Sequence, residues 1–294
     1  MLGGNYALIN NIEAQTFLRT GTHSNGTTYN YPYSAIVDGS FTGRFAGLGH
    51  TITNLSLQSN GGNTGLFSQL NGAILQDVRF EKANVTGRDI NNMGTLAGYA
   101  HNNTRLTGIM VANGLVRISN SGSWAAGVVA YTEGGTLRDA WVVNNPISVL
   151  AGGGAGGIMG RTLMTTRNVH NIGSDVYGNG NENGGLFGQK WNGSVLTNSH
   201  STGNVTGNTQ TGGLIGNSNA IISDSYATGN VTVIHQDSSA IGGLLGRNHY
   251  GGTLTNVYAT GNVSAGWNSV GGLIGYSDNS MTLTNVWASG SVSS

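Results

Sequence analysis

The side chains best able to do chemistry recur at a near-constant interval. Arg79, Met110, Trp141, His170, His200, Tyr226, Tyr258 and Trp287 follow one another 26 to 32 residues apart. Aromatic side chains in such a row can stack on sugar rings or dock on a protein surface, provided that they face outward. The small neighbours Val257 and Ala259 read as the inward set, which puts the bulky column outside. The plainer readings are a ladder that shields a turn, or the same column turned into the core. A second aromatic group, Tyr29, Tyr31 and Tyr33, lies in a polar stretch near the start. Candidate ligand-binding residues are therefore Trp141, His170, His200, Tyr226, Tyr258 and Trp287, with Tyr29, Tyr31 and Tyr33.

Hydrolytic chemistry finds less support. Polysaccharide cleavage needs paired carboxylates, or carboxylates holding a cation beside a base. Asp77 and Asp139 are separated by a unit that carries Gly108, Asp175 and Glu182 fall in an Asn/Gly-rich turn, and the only lysines are Lys82 and Lys190. No catalytic residue is assigned. The seven histidines show no HExxH and no compact ligand spacing, so neither a metal nor a cofactor is expected. His170 and His200 align and read as a stacked surface pair. The run Asn179 to Gly184 lacks the repeated aspartates of calcium-binding β-rolls. Of the Asn-x-Ser/Thr sequons, Asn84, Asn204, Asn230 and Asn262 occupy equivalent places, which makes them candidate glycosylation sites. In a chain this rich in Asn, Ser and Thr, sequons also arise by repetition alone.

The elements that position these residues are short repeats. Gly184-Gly-Leu-Phe-Gly188, Gly212-Gly-Leu-Ile-Gly216, Gly242-Gly-Leu-Leu-Gly246 and Gly271-Gly-Leu-Ile-Gly275 start 28, 30 and 29 residues apart. Weaker copies begin at Thr64, Gly94, Ala126 and Gly156, giving eight units of about 29 residues over 64–294. Each unit adds a second short strand, such as Gly252 to Asn256, and a third after a glycine, such as Gly261-Asn-Val-Ser264. A unit this small cannot bury its own apolar face, so the repeats must stack and share one core. The expected fold is all-β: a right-handed parallel β-helix of about ten coils, with three strands of four to six residues per coil. An Asx column, Asp77, Asp139, Asn168, Asn198, Asp224, Asn256 and Asn285, marks one corner, since Asn and Asp accept turn dihedrals. Residues 1–63 are less regular, with a projecting loop expected near 20–40, and no domain boundary divides 1–294.

Composition agrees. The chain has 51 glycines, two prolines and 8% charged residues, against a usual charged share of about 25%. Glycine is not at every third position, which excludes collagen. Zero net charge with no basic stripe argues against a nucleic-acid partner. No stretch reaches the roughly 20 apolar residues of a membrane-spanning helix, so no membrane insertion is expected. Met1 to Tyr6 has no basic, apolar leader, so export implies a longer chain.

The glycine-glycine-apolar-apolar-glycine units resemble the GLUG motif. Gly4 to Ile12, Phe41 to His50 and the Ala-Thr-Gly-Asn-Val stretches at Ala227 and Ala259 resemble the same setting, with Ala46 where an aspartate is common. The resemblance implies the repeat region of a secreted bacterial adhesin, filamentous-haemagglutinin-like and exported by two-partner secretion. It implies a non-catalytic segment on the cell surface, joined to flanking domains, that contacts a host glycan or protein. The alternatives are a polysaccharide-active β-helix enzyme and a module that captures a host protein or haem carrier.

Overall fold

The computed structural model describes residues 2–14, 18–22, 28–32, 35–150, 152–235, 239–266 and 269–293, with backbone alone for 18–22 and 28–32. No described residue is helical. Parallel strands stack as a β-solenoid of about eight regular turns with three faces per turn. The Asx face runs ten strands deep among the described residues, from Asn5–Ala7 and Arg44–Ala46 to Met281–Ala288. Those first two rows precede the regular turns and account for the expected ten. The valine face runs from Ser56–Ser59 to Val292–Ser293. The glycine face carries the Gly-Gly-apolar-apolar-Gly units and begins with Ala35–Phe41 and Asn63–Asn71.

The register follows the repeat. The Leu186 amide donates to the Leu214 carbonyl, Leu214 to Leu244 and Leu244 to Leu273, each at 2.9 Å. Leu186, Leu214 and Leu244 are fully buried, in line with one internal row along the axis. Each strand thus completes its neighbour's hydrogen bonding, and the apolar faces merge into one core.

The Asx column works as its chemistry requires. Asp77, Asp139, Asn168, Asn198, Asp224, Asn256 and Asn285 all have φ between 50° and 55°, and Gly108 stands among them at 68°. The left-handed bend lies inside a strand rather than at its end: Gly252–Ala259 continues through Asn256. Strands on this face therefore reach eight residues where four to six are expected.

The glycine motif is a sharp corner packed backbone on backbone. A Cβ on Gly184 would stand 2.1 Å from the Phe187 carbonyl oxygen. One on Gly185 would stand 2.1 Å from Ser201 Oγ and 2.2 Å from the Gly213 carbonyl, and one on Gly188 would stand 2.7 Å from the Glu182 and Gly160 carbonyls. The corner splits the strand into a short arm, Asn183–Gly184, and a longer arm, Phe187–Lys190.

The described residues between 18 and 41 form paired strands where a projecting loop is expected. Leu18–Thr22 and Thr28–Pro32 pair antiparallel, with Arg19 opposite Tyr31 and Gly21 opposite Tyr29. Ala35–Phe41 then joins the stack, Val37 opposite Phe67 and Phe41 opposite Leu70. Tyr29 and Tyr31 read as polar loop residues by composition, yet Thr and Tyr favour strands once a partner is at hand. Tyr33 lies outside the described residues.

Candidate binding surface

The Asx face aligns the aromatic column. Trp141 is opposite His170, His200 opposite His170 and Tyr226, and Tyr258 opposite Tyr226 and Trp287. Val257 and Ala259 are buried while Tyr258 is partly exposed, so the column faces outward. Strand spacing brings the rings face to face. His200–Tyr226, Tyr226–Tyr258 and Tyr258–Trp287 stack at 4.7, 4.7 and 4.6 Å with interplanar angles of 5°, 4° and 3°. Trp141–His170 and His170–His200 are tilted, at 5.9 and 4.3 Å. The rings spend their faces on their neighbours and turn their edges to solvent, except that His170, expected in a surface pair, is buried. The open face belongs to the last ring, Trp287, which is 48% exposed.

The two histidines meet through nitrogen. His170 Nε2 is 2.7 Å from Asn168 Oδ1, an acceptor, so Nε2 carries the proton and Nδ1 accepts. His200 Nδ1 then donates across 2.8 Å. Asn168 Nδ2 donates in turn to Asp139 Oδ1 at 2.6 Å, tying the pair to the Asx ladder. Burial, then the neighbouring His200, pulls the His170 pKa down to about 4, against the opposing pull of Asp139. Burial lowers His200 as well. The pair is thus built to stay neutral.

The equivalent sequons form another ladder, on the valine face. Asn204 Oδ1 accepts the Asn230 amide at 3.0 Å, Asn230 Oδ1 the Asn262 amide at 2.9 Å, and Asn262 Oδ1 the Ser291 amide at 3.0 Å. These side chains are exposed, as is Asn84 on the same face. Their carbonyls extend the backbone ladder from outside.

Asp175 and Glu182 line different concavities. Lys190 is fully buried; its Nζ donates to the Met164 carbonyl at 2.7 Å and lies 5.0 Å over the Phe187 ring. Burial lowers its pKa to about 7. Among the described residues, no group of three or more His, Asp or Glu could hold a metal ion.

The corner of the glycine face creates a surface that the repeat pattern does not announce. The residue after the last glycine points into a trough between the two arms. Down the stack these are Tyr99, Tyr131, Arg161, Gln189, Asn217, Arg247 and Tyr276, in register. Tyr99 and Tyr131 stack at 5.4 Å, and the Arg161 guanidinium lies 5.2 Å over Tyr131. Burial, then Glu133, pushes Tyr99 up to about 12. Across the trough, Gln189 donates to Glu182, and Asn217 Nδ2 to Gln210 Oε1 at 2.5 Å. Trp124 lies over Gly154, Gly160 and Gly188. The available signal was a large residue directly after the unit's last position, as at Tyr99, Tyr131, Arg161, Arg247 and Tyr276.

Residues 207–232 and 237–264 match the family described as the GLUG motif. Those two segments carry the motif. Over 84 residues, 27% of its length, the chain is 40% identical to Halomucin of Haloquadratum walsbyi, and it spans about 1% of that relative's length. A solved structure described as a candidate immunoglobulin A1 protease from Bacteroides ovatus is 18% identical, with a TM-score of 0.47 over 85% of this chain and 69% of that one. At that level of likeness nothing about activity passes to this chain.

Proposed function

We propose that the chain is a rigid, non-catalytic stretch of a secreted surface adhesin, of the two-partner-secretion type that its repeats resemble. The reading rests on the unbroken stack, in which each turn completes the hydrogen bonding of the next from Asn5 to Val292. Such a body resists bending and presents the same faces along its length. The likeness to a protein named as a mucin, of which the chain spans about 1%, supports a surface setting within a longer polypeptide. Contact is with a host-surface protein or glycan. The aromatic column offers ring edges and Tyr226 and Tyr258 hydroxyls, which suit a protein surface better than a stacked sugar.

The test is an array of host-surface proteins and polysaccharides, probed with the native chain and with a Tyr226→Ala/Tyr258→Ala/Trp287→Ala variant. Protein binding that weakens at least tenfold in the variant, with no polysaccharide consumed, is the expected result. Turnover of any polysaccharide sinks the non-catalytic reading. Protein binding unchanged in the variant removes the column from the contact.

A further inference from the structure

We infer that a notch in the glycine face, walled by Trp124 and Asn181, holds one neutral pyranose unit of a glycan. This deepens the adhesive reading and rests on it, by fixing where a sugar sits and of which class.

The notch exists because one turn lacks side chains. Gly152, Gly153 and Gly154 occupy the rung between those carrying Ser123 and Asn181. The backbones stack too closely there for any Cβ: one on Gly153 would stand 1.8 Å from the Ser123 carbonyl oxygen, and one on Gly180 would stand 1.7 Å from that of Gly153. What remains is an open concavity of about 520 Å³ floored by peptide backbone. It spans two strand spacings, ~10 Å along the axis, room for one sugar ring with its hydroxyls.

Its walls are fixed in advance. The six-membered ring of Trp124 is seated on glycines: a Cβ on Gly154 would meet Cζ3 at 2.4 Å, and one on Gly188 would meet it at 2.8 Å. Those contacts hold the indole along the trough, while the rest of it lines the notch, half-buried. Opposite, Gln189 holds the Glu182 carboxylate, and the exposed Asn181 amide has no partner among the described residues. An aromatic platform with a few convergent polar groups and a carbonyl-rich floor asks for a ligand with an apolar face and several hydroxyl donors.

Other ligand classes fit worse. A peptide strand needs an unpaired sheet edge, whereas this rung lies mid-stack: the Gly153 amide donates to the Gly122 carbonyl at 2.6 Å, and the Ala155 amide to the Glu182 backbone carbonyl at 3.1 Å. An anionic sugar meets Glu182, the one charged side chain lining the notch among the described residues. A quaternary ammonium wants a cage of several rings, and one ring lines this site among the described residues.

Calorimetric titration of the whole chain with cellotetraose, chitotetraose and maltotetraose, against tetragalacturonate, tests the site. At least one neutral tetrasaccharide should bind, the acidic one at least tenfold more weakly. Trp124→Ala should lose binding at least tenfold, and the exposed Asn181→Ala, which leaves the fold alone, at least threefold. The Tyr226→Ala/Tyr258→Ala/Trp287→Ala variant should bind like the native chain. Neutral-sugar binding that survives both notch substitutions overturns the site and leaves the adhesive reading standing. No binding of any neutral tetrasaccharide by the native chain also overturns it, and the adhesive reading is then decided on the protein array.

Discussion

A histidine in a stack is unlike a tyrosine in the same place, because it can acquire a charge. His170 and His200 share one hydrogen bond between Nδ1 atoms at 2.8 Å, with Trp141 and Tyr226 on either side of them. Protonating both would set two cations against each other and leave no acceptor between them. An unfolded histidine titrates near 6.5, and in the fold His170 is held down to about 4. Between those values the unfolded chain takes up a proton that the folded chain refuses, so stability falls as pH drops from about 6.5 towards 4. Above that window the pair contributes no pH dependence. The check is the melting temperature from pH 7.5 to 4.5 of the native chain and of a His170→Tyr/His200→Tyr variant, which prolongs the tyrosine stack. The native chain should lose more stability across that range. Parallel curves would remove the pair as the cause.

A column of Asx residues is one element, although its members come from different turns. Asn168, Asn256 and Asn285 donate through Nδ2 to the residue one turn earlier, at 2.6, 3.0 and 3.0 Å. Gly108 leaves the column one gap, at φ 68°. A Cβ there would stand 2.4 Å from Asp77 Oδ1, the free end of a side chain that can swing away. Gly108→Asn should therefore complete the ladder, with its amide donating to Asp77 as Asn168 donates to Asp139. Fewer unfolded conformations and one amide–carboxylate bond should add about 0.5–1 kcal/mol, read as a shift in the urea midpoint. Gly108→Val, β-branched in a left-handed bend, should lower stability by about 1–2 kcal/mol. This column was legible from sequence, as were the Leu186–Leu214–Leu244 row and the outward face of Tyr258, because repeat spacing states which residues share a rung. Spacing does not state how sharply the chain turns between rungs. For that reason the trough behind Tyr99 and Arg161, the seat of Trp124 and the face-to-face stacking of Tyr226 on Tyr258 emerge only in three dimensions. The described strands Leu18–Thr22 and Thr28–Pro32 depart furthest from expectation, since they pair antiparallel with each other and not with a repeat.

At the scale of the whole molecule, the decisive feature is the apolar surface that the outermost described rungs expose. The first described rungs leave an apolar concavity of about 380 Å³ lined by Leu2, Tyr6, Leu8, Ile12, Phe41 and Phe45 among others, and Ile9 is 80% exposed. The last rungs expose Leu283, Trp287 and Val292 by about half. Met281–Ala288 and Val292–Ser293 each end their sheet, with one strand edge unpaired among the described residues. An open parallel edge beside exposed core is a template for another strand. Because the Asx face runs through both ends, a second copy docked head to tail continues its ladder in parallel, and the contact does not close on itself. The 294-residue chain on its own should therefore form concentration-dependent linear oligomers in sedimentation velocity. Leu283→Lys/Val292→Lys, at the last rung and away from the interior turns, should return it to monomer with its melting temperature nearly unchanged. The association is apolar at its centre, so raising the salt should not dissolve it, whereas an association carried by the few surface ion pairs would weaken as salt rises. A native chain that stays monomeric at 100 µM would mean that the terminal strands already blunt their own edges.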